Sequence, residues 1–261
     1  MNRKIMTLFS MFVAIITVAL RTVTLIYATE SATGFFVTRL TTLGIVLSAA
    51  VFFIALLDFA FSFTAYDSVC KSIEISKISG IISVLLGVFV VLFGLGFGAH
   101  GSIHMWQQFL EKTSAVLCGL WFMAIGVNAF YNLKLPVFFN ILPAVHWVCK
   151  LIVVFGNFSS NALVAEHIFT LAALAVSCIF MLIFGKSLSN MQGKKAARFL
   201  FPMALLGAIL NITSALSRII VTAVGMSEKI HGEVSVDFVT LLAGIFMFAL
   251  TNDIKNKEKG E

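Results

Sequence analysis

The stretch ISGIISVLLGVFVVLFGLGFG, Ile78–Gly98, runs for 21 residues without a charged side chain. A helix needs about 20 apolar residues at 1.5 Å each to cross the hydrocarbon of a bilayer, so this stretch predicts a membrane-spanning helix. Comparable apolar stretches predict seven further spans, at Ile5–Tyr27, Leu40–Phe61, Thr113–Tyr131, Val137–Phe155, Ala162–Phe184, Phe199–Ala223 and Val234–Thr251. The expected fold class is an all-α integral membrane protein with eight transmembrane helices.

The composition excludes a water-soluble globular protein. Of the 261 residues, 60% are hydrophobic and 11% are charged, and the mean hydropathy is +1.03. The loops are too short for a separate soluble domain, so residues 1–261 form a single polytopic membrane domain. The formal net charge of +6 is typical of a membrane protein with basic cytoplasmic loops, and no basic domain exists that would bind nucleic acid.

Lysine and arginine are sorted by loop. When the gaps are numbered alternately, with the N-terminus inside, the outer gaps contain only Arg39, Lys112 and Lys229. The inner gaps contain twelve basic residues, Arg3, Lys4, Lys71, Lys77, Lys134, Lys186, Lys194, Lys195, Arg198, Lys255, Lys257 and Lys259. Basic residues in short loops resist translocation, so the asymmetry predicts that both ends of the chain are cytoplasmic.

The two halves of the chain, residues 1–132 and 133–261, share short matches that predict two parallel four-helix repeats. Leu85-Leu86-Gly87 matches Leu205-Leu206-Gly207, and Arg21 and Lys150 occupy similar positions in the first and fifth spans. Transporters are often built from related halves. Chance similarity between apolar helices is the alternative explanation.

Ionisable residues inside spans are costly and usually face the protein interior. Five of them fall in the outer half of the membrane, and Asp58 falls at the inner rim. The five are Arg21, Lys150, Glu166, Arg218 and Asp237. Lys150 and Glu166 lie at similar depths on consecutive spans, which predicts an ion pair, and the same argument predicts a pair between Arg218 and Asp237.

The pairing leaves Arg21 without an acidic partner inside a span, and a guanidinium suits a carboxylate or phosphate ligand. Pro143 removes a backbone hydrogen bond in the fifth span, and His146 and Lys150 follow it on one helix face. We therefore predict an outward-facing polar cavity with the ligand-binding residues Arg21, His146, Lys150, Glu166 and Arg218. The alternative is that these side chains extend to the interface or pair for structural reasons.

Motifs for catalysis, metals and cofactors are absent from the sequence. There is no GxSxG motif, and the glycine-rich end of the third span lacks the Lys-Ser/Thr of a phosphate-binding loop. His100 and His104 are four residues apart but have no carboxylate at ligand spacing. The segment 100–112, which contains Trp106, is expected to lie on the membrane interface. We predict no cofactor and no metal, and an enzyme is disfavoured.

Two functional classes remain. The first is a small transporter or permease-like protein that binds an anionic or polar ligand in the outward-facing cavity. The second is a non-catalytic membrane protein that acts as a scaffold, sensor or assembly subunit. The expected partners are membrane lipids, a small anionic ligand, and a second copy or another membrane subunit, and the expected location is a bacterial cell membrane.

Overall fold

The computed structural model describes residues 3–30, 36–65, 70–96, 105–131, 136–158, 164–189, 191, 194–230 and 234–256. Eight α-helices account for most of them: α1 Arg3–Val23, α2 Thr41–Ala65, α3 Lys77–Gly94, α4 Met105–Tyr131, α5 Leu142–Phe158, α6 Val164–Leu188, α7 Lys194–Ala223 and α8 Val234–Asp253. A π-helical turn, Thr24–Ala28, continues α1. Short 3₁₀ turns are present at Thr38–Leu40, Val137–Ile141 and Ser227–Lys229.

Seven of these helices are long and apolar enough to cross a membrane when the described residues are considered. They are α1 to α7, and α8, with 20 residues, is not among them. Their length and apolar surface indicate an integral membrane protein that crosses the bilayer several times.

A short antiparallel ribbon closes one end of the bundle. Strand β1, Cys70–Ile73, pairs with strand β2, Ile254–Asn256, so that Ile73 lies opposite Ile254. Asp253 completes the connection, because its carboxylate accepts a hydrogen bond of 3.1 Å from the backbone N–H of Ser76 just before α3. We call this the ribbon end and the other the far end. At the far end the Lys229 ammonium group donates a hydrogen bond to the carbonyl of Ile26.

Glycines spaced seven residues apart bring α3 and α4 into close antiparallel contact. Gly80, Gly87 and Gly94 of α3 face Gly126, Gly119 and the backbone of Lys112 on α4. A Cβ atom on Gly87 would lie 2.6 Å from the carbonyl oxygen of Gly119, and a Cβ on Gly119 would lie 2.6 Å from that of Gly87. Only glycine allows the two backbones to approach so closely. In a membrane the hydrophobic effect does not drive helices together, and close van der Waals packing of this kind stabilises the helix pair instead.

Helix α7 lies at the centre of the bundle and packs against α1, α2, α6 and α8. Its apolar residues are distributed around the whole helix, as expected for a helix without a lipid-facing side. They include the fully buried Leu205 and Ile209. Pro202 lies inside α7 and cannot donate a backbone hydrogen bond, which makes this central helix locally weaker.

Two of the predicted span boundaries that are wrong concern helices with a buried carboxylate, Glu111 on α4 and Asp58 on α2. Helix α4 begins at Met105 rather than at Thr113, so residues 105–112 belong to the spanning helix instead of an interfacial segment. Helix α2 continues beyond Phe61 to Ala65, and Asp58 is buried within it instead of lying at the rim. His100 and His104 lie outside the described residues.

The predicted internal repeat stays a prediction. Gly87 and Gly207, which match in the two halves, each lie at a close contact with the following helix. A Cβ atom on Gly207 would lie 2.7 Å from the sulfur of Met247.

We expect Gly119→Val to destabilise the protein by about 1–3 kcal/mol, because the added side chain forces α3 and α4 apart. Leu120→Val is the matched control, since Leu120 is the next residue and is 51% exposed on the outer surface of the bundle. Thermal unfolding of the detergent-solubilised protein measures both. Equal melting temperatures for the two variants would contradict the close helix contact.

Candidate functional site

Four ionisable side chains from four helices converge in the far half of the bundle. They are Glu111 on α4, Lys150 on α5, Arg218 on α7 and Asp237 on α8, and we call them the charged cluster. All four are buried. The Arg218 Nε atom lies 2.9 Å from the Asp237 Oδ2 atom, which confirms the pair predicted from the sequence.

Lys150 connects the members of the cluster. Both the Glu111 and the Asp237 carboxylate act electrostatically on its ammonium group. The ammonium group also lies 5.7 Å from the centre of the Phe93 ring on α3, within the range of a cation–π interaction. Lys150 therefore lies within electrostatic range of carboxylates on α4 and α8 and beside an aromatic ring on α3.

His146 lies one helical turn before Lys150 and is buried beside the cluster. Its Nδ1 atom is 3.1 Å from the hydroxyl oxygen of Ser114, which also donates to the backbone carbonyl of Glu111 at 3.1 Å. Pro143 does not interrupt the middle of the helix, because it lies where the 3₁₀ turn Val137–Ile141 passes into α5. At the first turn of a helix the missing N–H of proline costs little.

Arg21 lies in the last turn of α1 and is only 2% exposed, so the prediction that it points into the bundle is confirmed. Its guanidinium carbon is 4.1 Å from the centre of the Phe169 ring on α6. The Phe169 ring also stacks on the Phe52 ring of α2, with the two ring centroids 4.4 Å apart. The π-helical turn Thr24–Ala28 follows directly, a distortion that is frequent at functional sites.

The predicted Lys150–Glu166 pair cannot be described, because the Glu166 side chain lies outside the described part of α6. Sequence reasoning missed Glu111, which it assigned to an interfacial segment. The available signal was the spacing of Glu111, Ser114, Cys118 and Trp121, which places them on one face of a helix.

A line of buried polar residues runs along α1 from the ribbon end to the far half. Its members are 3, 7, 4 and 3 residues apart, which keeps them on one face, and we call them the α1 polar stripe: Thr7, Ser10, Thr17, Arg21 and Thr24. Each of the first three contacts a different helix. Thr7 lies 3.3 Å from the Thr251 hydroxyl on α8, Ser10 donates to Asp58 on α2, and Thr17 lies 2.8 Å from the Thr213 hydroxyl on α7.

A groove of about 880 Å³ lies between α1, α3, α7 and α8 and opens to the side of the bundle. Thr22 and Asn252 are its polar lining residues; the others are apolar, among them Ala14, Val18, Ile212, Leu216 and Phe248. None of the four predicted ligand-binding residues whose side chains are described, Arg21, His146, Lys150 and Arg218, lines it. The groove is therefore distinct from the polar cavity that the sequence predicts.

No protein-family model, curated protein or solved structure matches the chain. The function must be inferred from the arrangement of the residues themselves.

We expect Arg218→Met and Asp237→Asn each to destabilise the protein by about 3–5 kcal/mol, because each leaves a buried charge without its partner. The double variant should recover part of the loss, giving a coupling energy of about 0.5–3 kcal/mol. Thermal or denaturant unfolding in detergent completes the double-mutant cycle. Purely additive losses would show that the pair contributes no coupling.

Proposed function

We propose that the protein is a transporter-like membrane protein that binds a small polar or anionic solute at the charged cluster. The observation that carries the proposal is the convergence of Glu111, Lys150, Arg218 and Asp237 from four helices inside the membrane-spanning bundle.

The cost of this cluster argues for a function. Each charged side chain at the centre of a membrane helix costs about 2.5–3.5 kcal/mol on insertion scales. Buried ion pairs rarely recover more than that cost, and apolar side chains of similar volume are often as stable or more stable. A helical scaffold could specify its packing with uncharged polar side chains, so four charged residues in one cluster favour a binding role.

The elements around the cluster support movement of a solute. The α1 polar stripe extends from Thr7 at the ribbon end to Thr24 in the far half, and supplies hydroxyl groups along most of the bundle. Two helices carry local irregularities, the π-helical turn that follows α1 and Pro202 inside α7. Such irregularities allow a helix to change its path between two packed arrangements.

The charges present define the class of ligand. The buried charges in the far half whose side chains are described are the cations Arg21, Lys150 and Arg218 and the carboxylates Glu111 and Asp237. Arg39 is exposed and does not contribute. A solute that carries a carboxylate or phosphate fits the two cations of the cluster, Lys150 and Arg218, and His146 supplies a hydrogen bond.

We further propose eight membrane crossings with both ends of the chain in the cytoplasm. Strand β1 precedes α3 and strand β2 follows α8, and the two strands pair. Their pairing requires an even number of crossings between them, which supports α8 as an eighth span beside α3 to α7. The ribbon end also carries the basic residues Lys4, Lys77 and Lys186, as the positive-inside rule demands of the cytoplasmic side. Location in a bacterial cell membrane stays a prediction.

The second candidate function is a non-catalytic membrane subunit. The apolar groove favours it, because a spanning helix of a partner protein would fill a laterally open apolar surface. The two candidates differ in what they bind: the first needs a small solute at Lys150, and the second needs a protein against α1, α7 and α8.

We expect a small carboxylate or phosphate to raise the melting temperature of the wild type and not that of Lys150→Met. A ligand at about one hundred times its Kd stabilises the folded state by about 2.7 kcal/mol. The measurement is a thermal-shift screen of the purified protein with succinate, glutamate and inorganic phosphate. Arg39→Met is the matched control, since it removes an exposed positive charge at the same end. The proposal fails if no compound acts, or if Lys150→Met responds as the wild type does.

We expect a reporter fused after residue 261 to lie in the cytoplasm, and one fused after Ser227, before α8, to lie outside. A fluorescent protein that matures only in the cytoplasm and a phosphatase that is active only after export give opposite readouts at each position. Phosphatase activity at the C-terminal fusion, with none at Ser227, would show that the C-terminus lies outside and that the orientation is the reverse of the one proposed. Equal readouts at the two positions would show that α8 does not cross.

A further inference from the structure

Asp58 is a buried carboxyl group that the charged cluster does not use. It is 2% exposed and lies on α2, seven residues before the helix ends at Ala65, or about 10 Å along the axis. Ser10 lies at the matching depth on α1, and its hydroxyl is 3.0 Å and 2.9 Å from the two carboxyl oxygens.

No cation compensates this group among the side chains that the structure describes. The elements packed against α2 are α1, α7, the short turns at the far end and, through the stacked Phe52 and Phe169 rings, α6. The described charged side chains that α1, α6 and α7 carry near the ribbon end are Lys4, Lys186 and Arg198, all exposed, and the described contacts of Asp58 join it to none of them. Cys178 is the other described titratable group on α6. The side chains of Arg3, Glu166, His167, Lys194 and Lys195 lie outside the described residues. The remaining titratable groups on these elements belong to the far half, Arg21, Tyr27, Arg39 and Arg218.

A carboxylate in such surroundings lacks both water and a counter-ion. An isolated charge in a medium of low dielectric constant is so costly that the group neutralises instead. A neutral carboxylic acid needs an acceptor for its proton as well as a donor for its carbonyl oxygen. Ser62 lies one helical turn after Asp58 on the same face, is buried, and has no hydrogen-bond partner for its hydroxyl among the described atoms. The Ser10 hydroxyl therefore provides the donor, and the Ser62 hydroxyl, which makes no hydrogen bond to Asp58 among the described atoms, is available as an acceptor on the same helix face.

A pair of hydroxyl groups lies between Asp58 and the ribbon end. Thr7 precedes Ser10 by one turn of α1, and its hydroxyl pairs with that of Thr251 near the ribbon end. The two threonines separate Asp58 from the ribbon end by one layer of hydroxyl groups. In the opposite direction, the α1 polar stripe continues toward Arg21.

We propose that Asp58 is a proton-binding site inside the membrane: its carboxylate takes up one proton from the ribbon-end solution to form a carboxylic acid, and releases it to the same side. As the site of a coupling proton for solute movement, this inference rests on the proposed function. As a protonated carboxyl group in the membrane, it can be measured whether or not the protein transports anything.

The test uses the full-length protein in lipid vesicles and the apolar reagent dicyclohexylcarbodiimide. This reagent reacts with a protonated carboxyl group, whose O–H adds across a C=N bond, and the adduct rearranges to a stable N-acylurea. Mass spectrometry of the peptide that contains Asp58 measures the modification. We expect Asp58 to be modified at neutral pH, and the rate to fall about tenfold per pH unit once the buffer passes the midpoint of its titration.

Two controls accompany the measurement. Asp237 is an internal control, because it is also buried in a helix but is bonded to Arg218 and should stay unmodified. Asp58→Asn keeps the shape of the neutral acid, so it should abolish the modification while the protein still folds. The stability of the wild type should fall relative to Asp58→Asn as the pH rises, since the folded wild type then binds one proton more than the unfolded chain.

The outcomes separate the two proposals. Modification of Asp58 no faster than that of Asp237, together with equal pH dependence of stability in wild type and Asp58→Asn, overturns the proton site. Protection of Asp58 by sodium at constant pH also overturns it in favour of a metal cation. Modification of Asp58 without any solute response at Lys150 leaves the proton site standing and rejects the transporter.

Discussion

Lipid hydrocarbon offers no hydrogen bonds, and this constraint determines how the helices fit together. Apolar surfaces alone cannot select one arrangement, because a helix packs on lipid tails about as well as on another helix. Selection comes from polar contacts and close backbone approach. Asn211 on α7 donates to Ser177 of α6 at 2.7 Å, and Asn140 accepts from Trp121 of α4 at 3.2 Å. The glycines of α3 and α4 fix the separation of a second set of helices, so each helix has at least one neighbour that specifies its rotation.

The same constraint applies to the buried ionisable groups, because lipid cannot stabilise a charge and the charge of each group must be compensated within the bundle. The charged cluster meets the requirement by pairing opposite charges across helices, as Arg218 and Asp237 do. Among the described side chains, Asp58 is bonded only to the Ser10 hydroxyl, and we propose that it meets the requirement by holding a proton. Helix α1 connects the surroundings of Asp58 with the far half of the bundle. Ser10 contacts Asp58, and Arg21 lies eleven residues further, about 16 Å along the helix. A shift of α1 along its axis would alter both environments together.

Much of the fold could be predicted from apolar runs, because a span must be long and uncharged whatever its neighbours are. The Arg218–Asp237 pair could also be predicted, since a short connection makes α7 and α8 neighbours at known depth. Helix ends were harder to predict. Hydropathy marks the part of a helix that lipid tolerates. Glu111 lies before that part of α4 and Asp58 lies near its end in α2, and other helices shelter both side chains from lipid. The contact of Lys150 with the Phe93 ring depends on how α3 and α5 are rotated, and local sequence does not encode that rotation.

The ribbon has a consequence for how the chain is made. The backbone N–H of Ser76, at the start of α3, finds its acceptor in Asp253, a residue synthesised 177 positions later. While the ribosome is still producing α8, the first seven helices are complete but the loop before α3 has no strand to pair with. A chain interrupted at that stage exposes unpaired backbone groups at one end of the bundle. The ribbon can therefore form only after residues 254–256 have been synthesised, and until then the segment before α3 has no pairing partner there.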